Sequence, residues 1–240
     1  MMRILYRCCN RELDFPPQRA GRPNWFSKIN CFKSLIMSYN NSKFKDEIKI
    51  YVLMQTTDGN PSSSILEKTV IDTGCEILFH KGASDLESKT NQLLFYKSNF
   101  SNDFVYFVED DYLHSKEALD CIYTGVKKFG LVTGYDHYDR YSRDDDLTYG
   151  KELLFFHEGR HWRTAESTTN TWAASPEIMK TVTPYCEHYG IGDRIFFRHI
   201  YYEQKIRLHQ PIPGVSTHAH EPYMSPGINW QLINEESSKI

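Results

Sequence analysis

Two short segments constrain the fold of this chain more than any others. Residues 48–56 read IKIYVLMQT and residues 104–108 read FVYFV. Each carries apolar side chains at consecutive positions, so both faces of the strand need cover. Strands buried on both faces belong to parallel sheets flanked by helices. The second segment runs straight into Glu109, Asp110 and Asp111, with no Gly or Pro between. Carboxylates that abut a buried strand are costly if unpaired, so three of them there require a reason.

The surrounding pattern agrees with a layered sheet. MRILYRCC predicts a first strand, Arg3 to Cys8, and CEILFH and LVTGY predict two more. Helical spacing of apolar residues runs through NWFSKINCFKSLIMSYN, with Asn24 as its cap. A second helix follows GASD, where Ser84 and Glu87 have capping-box spacing. A third begins at Ser115 and stops at Gly130, and TTDGNPSSS reads as a turn cluster. The order β-α-β-β-α-β-α-β over the first 135 residues predicts an α/β protein with a mainly parallel sheet.

The second half differs in texture. HYDRYSRDDDLTYG reads as a polar loop, with Asp144 to Asp146 solvated. Short Thr- and aromatic-rich strands follow, then a helix from Pro176 and another over DRIFFRHIYYEQ. The tail IPGVSTHAHEPYMSPGINW reads as irregular. No linker separates the halves, so one domain is expected over residues 1–240.

Bulk properties exclude several classes. The 240 residues carry 28 Lys and Arg against 31 Asp and Glu, a net charge of −3, which does not signal nucleic-acid binding. No apolar stretch approaches the roughly 20 residues of a membrane span. MMRILYRCC lacks the apolar run of a secretory signal. None of the six cysteines forms a C-x-x-C pair. A cytoplasmic protein with reduced thiols is the expectation, with membrane contact restricted to a peripheral patch.

In parallel α/β sheets, ligands bind beyond the carboxyl ends of the strands. Glu109, Asp110 and Asp111 stand at such an end. Hard oxygen donors suit Mg2+ or Mn2+, ions usually shared with substrate phosphates. His218 and His220 alternate, so in an extended segment they point to one side. Mixed with carboxylates, such histidines favour Mn2+ over Mg2+ alone. ESTTNTWAAS offers hydroxyls and Trp172 as a sugar-binding wall, or a Thr-rich strand with a core Trp.

VYFVEDDYL resembles the Asp-x-Asp region of GT-A glycosyltransferases, nucleotide-sugar-dependent enzymes with a single Rossmann-like α/β domain. ILYRCCN followed by NWFSKINCFKSL looks like the first strand, nucleotide loop and helix of small GT-A enzymes of bacterial or viral glycan synthesis. The resemblance implies a nucleotide-binding half over 1–135 and an acceptor-binding half over 136–240. It implies Asp111 as the main metal ligand, with His218 or His220 as a further one. Glu109 or Asp110 would face the ribose or a metal-bound water. Tyr6, Arg7 and Asn10 would lie near the base and phosphates, Asp58 would contact the base, and Lys89 matches a basic residue ahead of the acidic strand. Asp136 or Tyr135 would touch sugar hydroxyls.

Inverting members of that family carry a general base in the second half, near the start of a helix. Asp193 in EHYGIGDRIFFRHI matches that position, with Glu187 and Glu166 as lesser candidates, and a helix-capping role is compatible. The expected activity is metal-dependent transfer of a sugar from a nucleoside-diphosphate sugar to a hydroxyl of an oligosaccharide or glycan. A sugar-phosphate nucleotidyltransferase and a non-catalytic carbohydrate-binding protein are the rivals. The first rival wants a Gly-rich basic loop near the N-terminus, and PPQRAGRPN holds one Gly.

Overall fold

A computed structural model describes residues 1–9, 21–82, 84–141, 152–190 and 194–240. Its centre is β1 (Met2–Cys9), which pairs in parallel with β2 (Ile48–Thr56) on one side and β4 (Phe104–Glu109) on the other. β3 (Glu76–Lys81) adds in parallel outside β2. Beyond β4 the sheet turns mixed. β9 (Trp172–Ala174) runs antiparallel between β4 and β6 (Leu131–Val132). β10 (Leu208–Ile212) is parallel to β6, and β8 (Arg160–Ala165) and β7 (Leu154–His157) close the far edge antiparallel. Among the described residues this gives one sheet in the order β3-β2-β1-β4-β9-β6-β10-β8-β7, continuous across both halves of the chain.

Period-two alternation along the central strands splits the core in two. Ile4 and Tyr6 of β1, Val52 and Met54 of β2, and Tyr106 and Val108 of β4 face one side. There they meet α1 (Lys28–Asn41), α2 (Ile65–Asp72) and α4 (Ala118–Phe129), through residues such as Phe32, Leu66 and Ile122. Leu5, Leu53, Val105 and Phe107 face the other side. They pack on α3 (Asp85–Asn99), α5 (Pro176–Tyr189) and α6 (Arg194–Gln204), through Leu93, Met179 and Phe196. Each such side chain contributes about 1.5–3 kcal/mol on burial, so the double-faced strands hold the layers together.

The α/β architecture read from the sequence is present, and several elements refine it. α2 is absent from the sequence reading, yet a parallel β2–β3 pair needs a crossover element. α1 starts later than Asn24, because the Ser27 hydroxyl accepts the Asn30 N–H at 3.2 Å and caps the helix. The tail is more ordered than expected: it supplies β11 (Ser216–His218), and α7 (Trp230–Ser237) begins at its last residue. β11 pairs antiparallel with β5 (Tyr112–His114), which follows the three acids. The expected capping box is found at α3, where Ser84 and Glu87 exchange hydrogen bonds.

Among the described residues no helix is long and apolar enough to cross a membrane. None of the six cysteines, all among the described residues, forms a disulfide. Asn10, Asp144 to Asp146 and Asp193 lie outside the described residues.

Candidate functional site

Register places the site. Arg7 of β1 lies opposite Glu109 of β4, so the two central strands end together at one edge of the sheet. α3 begins at the same edge with Asp85, and α1 begins there with Lys28. A cleft of about 900 Å3 opens above these ends. Its walls include Arg7, Cys9, Arg22, Lys28, Gln55, Asp85, Glu109, Asp110, Asp111, Asn170, His218 and His220.

Each of the three acids has its own cation. Glu109 accepts from the Arg7 guanidinium, which also reaches Asp85 Oδ1 at 2.6 Å. Lys89 binds the second oxygen of Asp85 at 2.6 Å. Asp110 Oδ2 accepts from Lys28 Nζ at 2.7 Å and from the backbone N–H of Cys9 at 3.2 Å. Asp111 Oδ2 accepts from Arg22 Nη2. The cost of placing acids on a buried strand is therefore met by cations drawn from the first strand and from the segment leading into α1.

His218 reaches Asp111 through strand pairing. β11 sets His218 opposite Tyr112, and the Ala219 N–H continues the ladder to the Asp111 carbonyl at 2.9 Å. The His218 ring stacks on Tyr112 at 5.4 Å between centroids, and its Nε2 lies 3.1 Å from Asp111 Oδ2. His220 stacks between His218 and Tyr223, at 5.7 and 5.2 Å. Gly21 packs against the same ring: a Cβ there would lie 2.2 Å from it, and φ is +91°. Only glycine fits that contact with that backbone.

The electrostatics of the acids diverge. Burial pushes Glu109 up to about 7, against the pull of Arg7. Burial also raises Asp111, but His218 and Arg22 outweigh it and hold that carboxyl below the usual range. His218 moves the other way: burial lowers it, Asp111 raises it more, and the net shift is upward. Asp111 Oδ1 is buried and has no hydrogen-bond partner among the described residues. A buried carboxylate oxygen left open in a cleft is an unused acceptor.

The structure gathers Arg7, Glu109, Asp110, Asp111, His218 and His220 at the cleft. It places other expected residues elsewhere. Tyr6 is fully buried, edge-on to Phe32 at 5.2 Å, on the core side of β1. Asp58 is exposed and closes its own turn by accepting the Asn60 N–H at 3.0 Å. Lys89 stands behind Asp85 rather than on the cleft wall. Trp172 is fully buried against Phe107 and Phe196, so the core reading of that indole holds. Asp136 and Tyr135 are buried too, and both are bonded within the protein. Glu187 is exposed and paired with Lys97, while Glu166 is held by Arg194 at 2.9 Å, next to the start of α6.

Several cleft residues escape the sequence reading, among them Arg22, Lys28, Asp85 and Asn170. Asp85 carries a usable signal, since it directly follows the helix cap Ser84 at a strand end. Asn170 sits in the left-handed region at φ 47°, a conformation Asn tolerates better than most residues. Its neighbours are braced from several sides. Tyr112 donates to the Thr169 carbonyl at 2.8 Å, and Arg140 donates to the Ser167 carbonyl.

No family model matches the chain, and no curated protein matches it in sequence. Solved structures match in fold. A Bacillus anthracis protein described as a putative glucose-1-phosphate thymidylyltransferase, in complex with a sucrose, is similar over 100% of this chain and 96% of its own, at 9% identity and a TM-score of 0.52. S. aureus TarS 1-349 in complex with UDP-GlcNAc is similar over 87% of this chain at 12% identity and a TM-score of 0.45. The galactosyltransferase LgtC, in complex with donor and acceptor sugar analogs, is similar over 87% of this chain and 72% of its own, at 11% identity and a TM-score of 0.46. This chain spans 48% and 55% of the length of two TarS 1-349 structures that it matches. At such identities the likeness is one of fold.

Proposed function

We propose that this chain transfers a sugar from a nucleoside-diphosphate sugar to a hydroxyl of a glycan acceptor, with inversion at the anomeric carbon. The observation that carries the reading is the meeting of Glu109, Asp110 and Asp111 with Arg7, Lys28 and Arg22 in one cleft, at the carboxyl edge of β1 and β4. That edge is where α/β sheets bind nucleotides. The acids suit ribose hydroxyls and a cation, and the guanidinium and ammonium groups suit a diphosphate.

The reaction forms a bond from the acceptor oxygen to the anomeric carbon and breaks the bond to the donor phosphate. The bonding pair leaves with the nucleoside diphosphate, and the acceptor proton passes to a carboxylate. Asp193 is the assigned base, directly ahead of α6, where Arg194 ties the helix start to Glu166. Cationic groups fixed at the strand ends would stabilise charge on the departing diphosphate without reorganising.

A divalent ion fits part of this donor set. Among the described residues no three His, Cys, Asp or Glu side chains converge as a metal cage. Asp111 and His218 nevertheless stand together, and Asp111 Oδ1 is open. One or two protein donors, with water and substrate phosphate completing the shell, is the usual complement for Mg2+ or Mn2+ sites of this kind. Asp111 and His218 would hold the ion, which would supply positive charge to the leaving diphosphate. His220, stacked behind His218, would orient that ring rather than ligate.

The fold likeness over the full length of a thymidylyltransferase-like protein favours one rival, nucleotidyl transfer. A panel of nucleotide sugars with Mn2+, followed by product analysis, separates the two. Sugar transfer predicts that a donor raises the melting temperature by mass action and that turnover or slow hydrolysis releases a nucleoside diphosphate. Pyrophosphate released from a nucleoside triphosphate and a sugar phosphate would overturn that reading in favour of the rival.

A further inference from the structure

The acids of the cleft are already paired. Among the described residues, Glu109, Asp110 and Asp111 each hold one cation, Arg7, Lys28 and Arg22 respectively. These ion pairs are complete before any ligand arrives. A diphosphate arriving alone adds uncompensated negative charge to a partly buried site. A divalent cation arriving alone adds uncompensated positive charge. Both are penalised where solvent screening is weak. Only the two together preserve the balance.

Arg22 is the group that must change partners for this to happen. Its Nη2 holds Asp111 Oδ2, the oxygen that His218 also faces, and its Nη1 holds the Ala219 carbonyl at 2.8 Å. The side chain is 9% exposed and lies over the Phe26 ring at 4.5 Å. A cation binding Asp111 would compete with this guanidinium for the same carboxylate. A guanidinium fork serves carboxylate and phosphate equally well, so a diphosphate in the cleft offers Arg22 an alternative partner. Arg7 and Lys28 hold other acids instead: Arg7 bridges Asp85 and Glu109, and Lys28 Nζ holds Asp110 Oδ2 and Cys9 Sγ.

We propose that Arg22 is the counter-ion of Asp111 in the empty site and a diphosphate ligand in the loaded one, so that divalent cation and donor bind cooperatively. This rests on the sugar-transfer reading for the identity of the donor. The part that concerns Asp111 and the cation does not depend on it. Coupling of this kind is reciprocal: what the diphosphate does for the cation, the cation does for the diphosphate.

The test is Mn2+ binding to the full chain without nucleotide, read by calorimetry and by loss of the free Mn2+ resonance signal. Arg22→Gln is expected to bind Mn2+ about tenfold more tightly than wild type, within the usual range of coupling energies. Arg22→Lys should stay close to wild type, because it keeps the charge. Adding Asp111→Asn to Arg22→Gln should erase the gain. Should the Gln variant fail to fold, Arg22→Met, which keeps an apolar stem over Phe26, reads the same quantity. Folded charge-removal variants that bind Mn2+ no more tightly than wild type would overturn the proposal. The Mn2+ affinities carry the same meaning whether or not any nucleotide sugar binds, so they are separate from the donor panel.

Discussion

A carboxylate cluster and a lone carboxylate stand at the same edge of the sheet, and they are built for different ends. Glu109 ends β4 and Asp110 and Asp111 follow it; Asp136 follows β6, which runs in the same direction. Asp136 is fully buried and both its oxygens are taken: Arg163 donates to Oδ1 at 2.7 Å, Gln210 donates to the same oxygen, and Tyr141 donates to Oδ2 at 2.5 Å. Asp111 lines the cleft and keeps one oxygen open. Closed pairing braces the antiparallel half, whereas Asp111 Oδ1 in the parallel half is a buried acceptor with no hydrogen-bond partner among the described residues. An acid at a strand end is therefore not a site by position alone. What distinguishes a site is a cavity and an unused acceptor.

The strongest way to break this contrast is Asp136→Ala. It removes the nearer carboxylate of the buried Arg163 guanidinium and leaves it only Glu152, 3.7 Å away, among the described residues. A loss of about 3–5 kcal/mol is expected, seen as a melting temperature lower by roughly 10 °C for a chain of this size. A variant that melts with wild type would remove Asp136 from its bracing role.

A smaller effect sharpens the contrast through pH. His114 of β5 is fully buried, with Tyr106 Oη 2.9 Å from its Nε2, and burial pushes its pKa from 6.5 down to about 3. The unfolded chain takes up this proton below about 6.5 while the folded chain stays neutral. Stability should therefore fall as pH drops from 6.5 towards 3, by up to about 1.4 kcal/mol per pH unit from this residue. His114→Gln should flatten that slope in equilibrium unfolding at a series of pH values. An unchanged slope would mean that the acid sensitivity resides elsewhere, in the open cluster.

How far the sequence discloses this molecule depends on the range of the interaction. β2 is legible to the residue, Ile48 to Thr56, because nine residues of strand pattern carry their own signal. The α3 capping box is legible because its two partners are three residues apart. α2 is hidden because eight residues after a Ser- and Pro-rich turn give barely two helical turns of pattern. β5 and β11 are hidden because three-residue strands have no period to read, and their pairing joins Tyr112 to His218.

The site divides along the same line. The acids announce themselves by ending an apolar strand, and the alternating histidines hint at a shared face. Two of the cations do not, because Arg22 and Lys28 are ordinary residues until the fold brings them across 89 and 82 positions to Asp111 and Asp110. Asp58 and Asp85 show the reverse error. Both are acids near a strand end, but only the one that opens α3 faces the cleft.

The most direct measurement is calorimetric binding of a nucleoside diphosphate panel with Mn2+ to wild type and to Asp111→Asn, alongside their melting temperatures. A nucleotide that binds wild type at one site, and binds the variant on the order of 100-fold more weakly with melting little changed, is the predicted result. Equal binding by the two proteins, or no binding of any nucleotide to wild type, would contradict the assignment of this cleft as a nucleotide-sugar site.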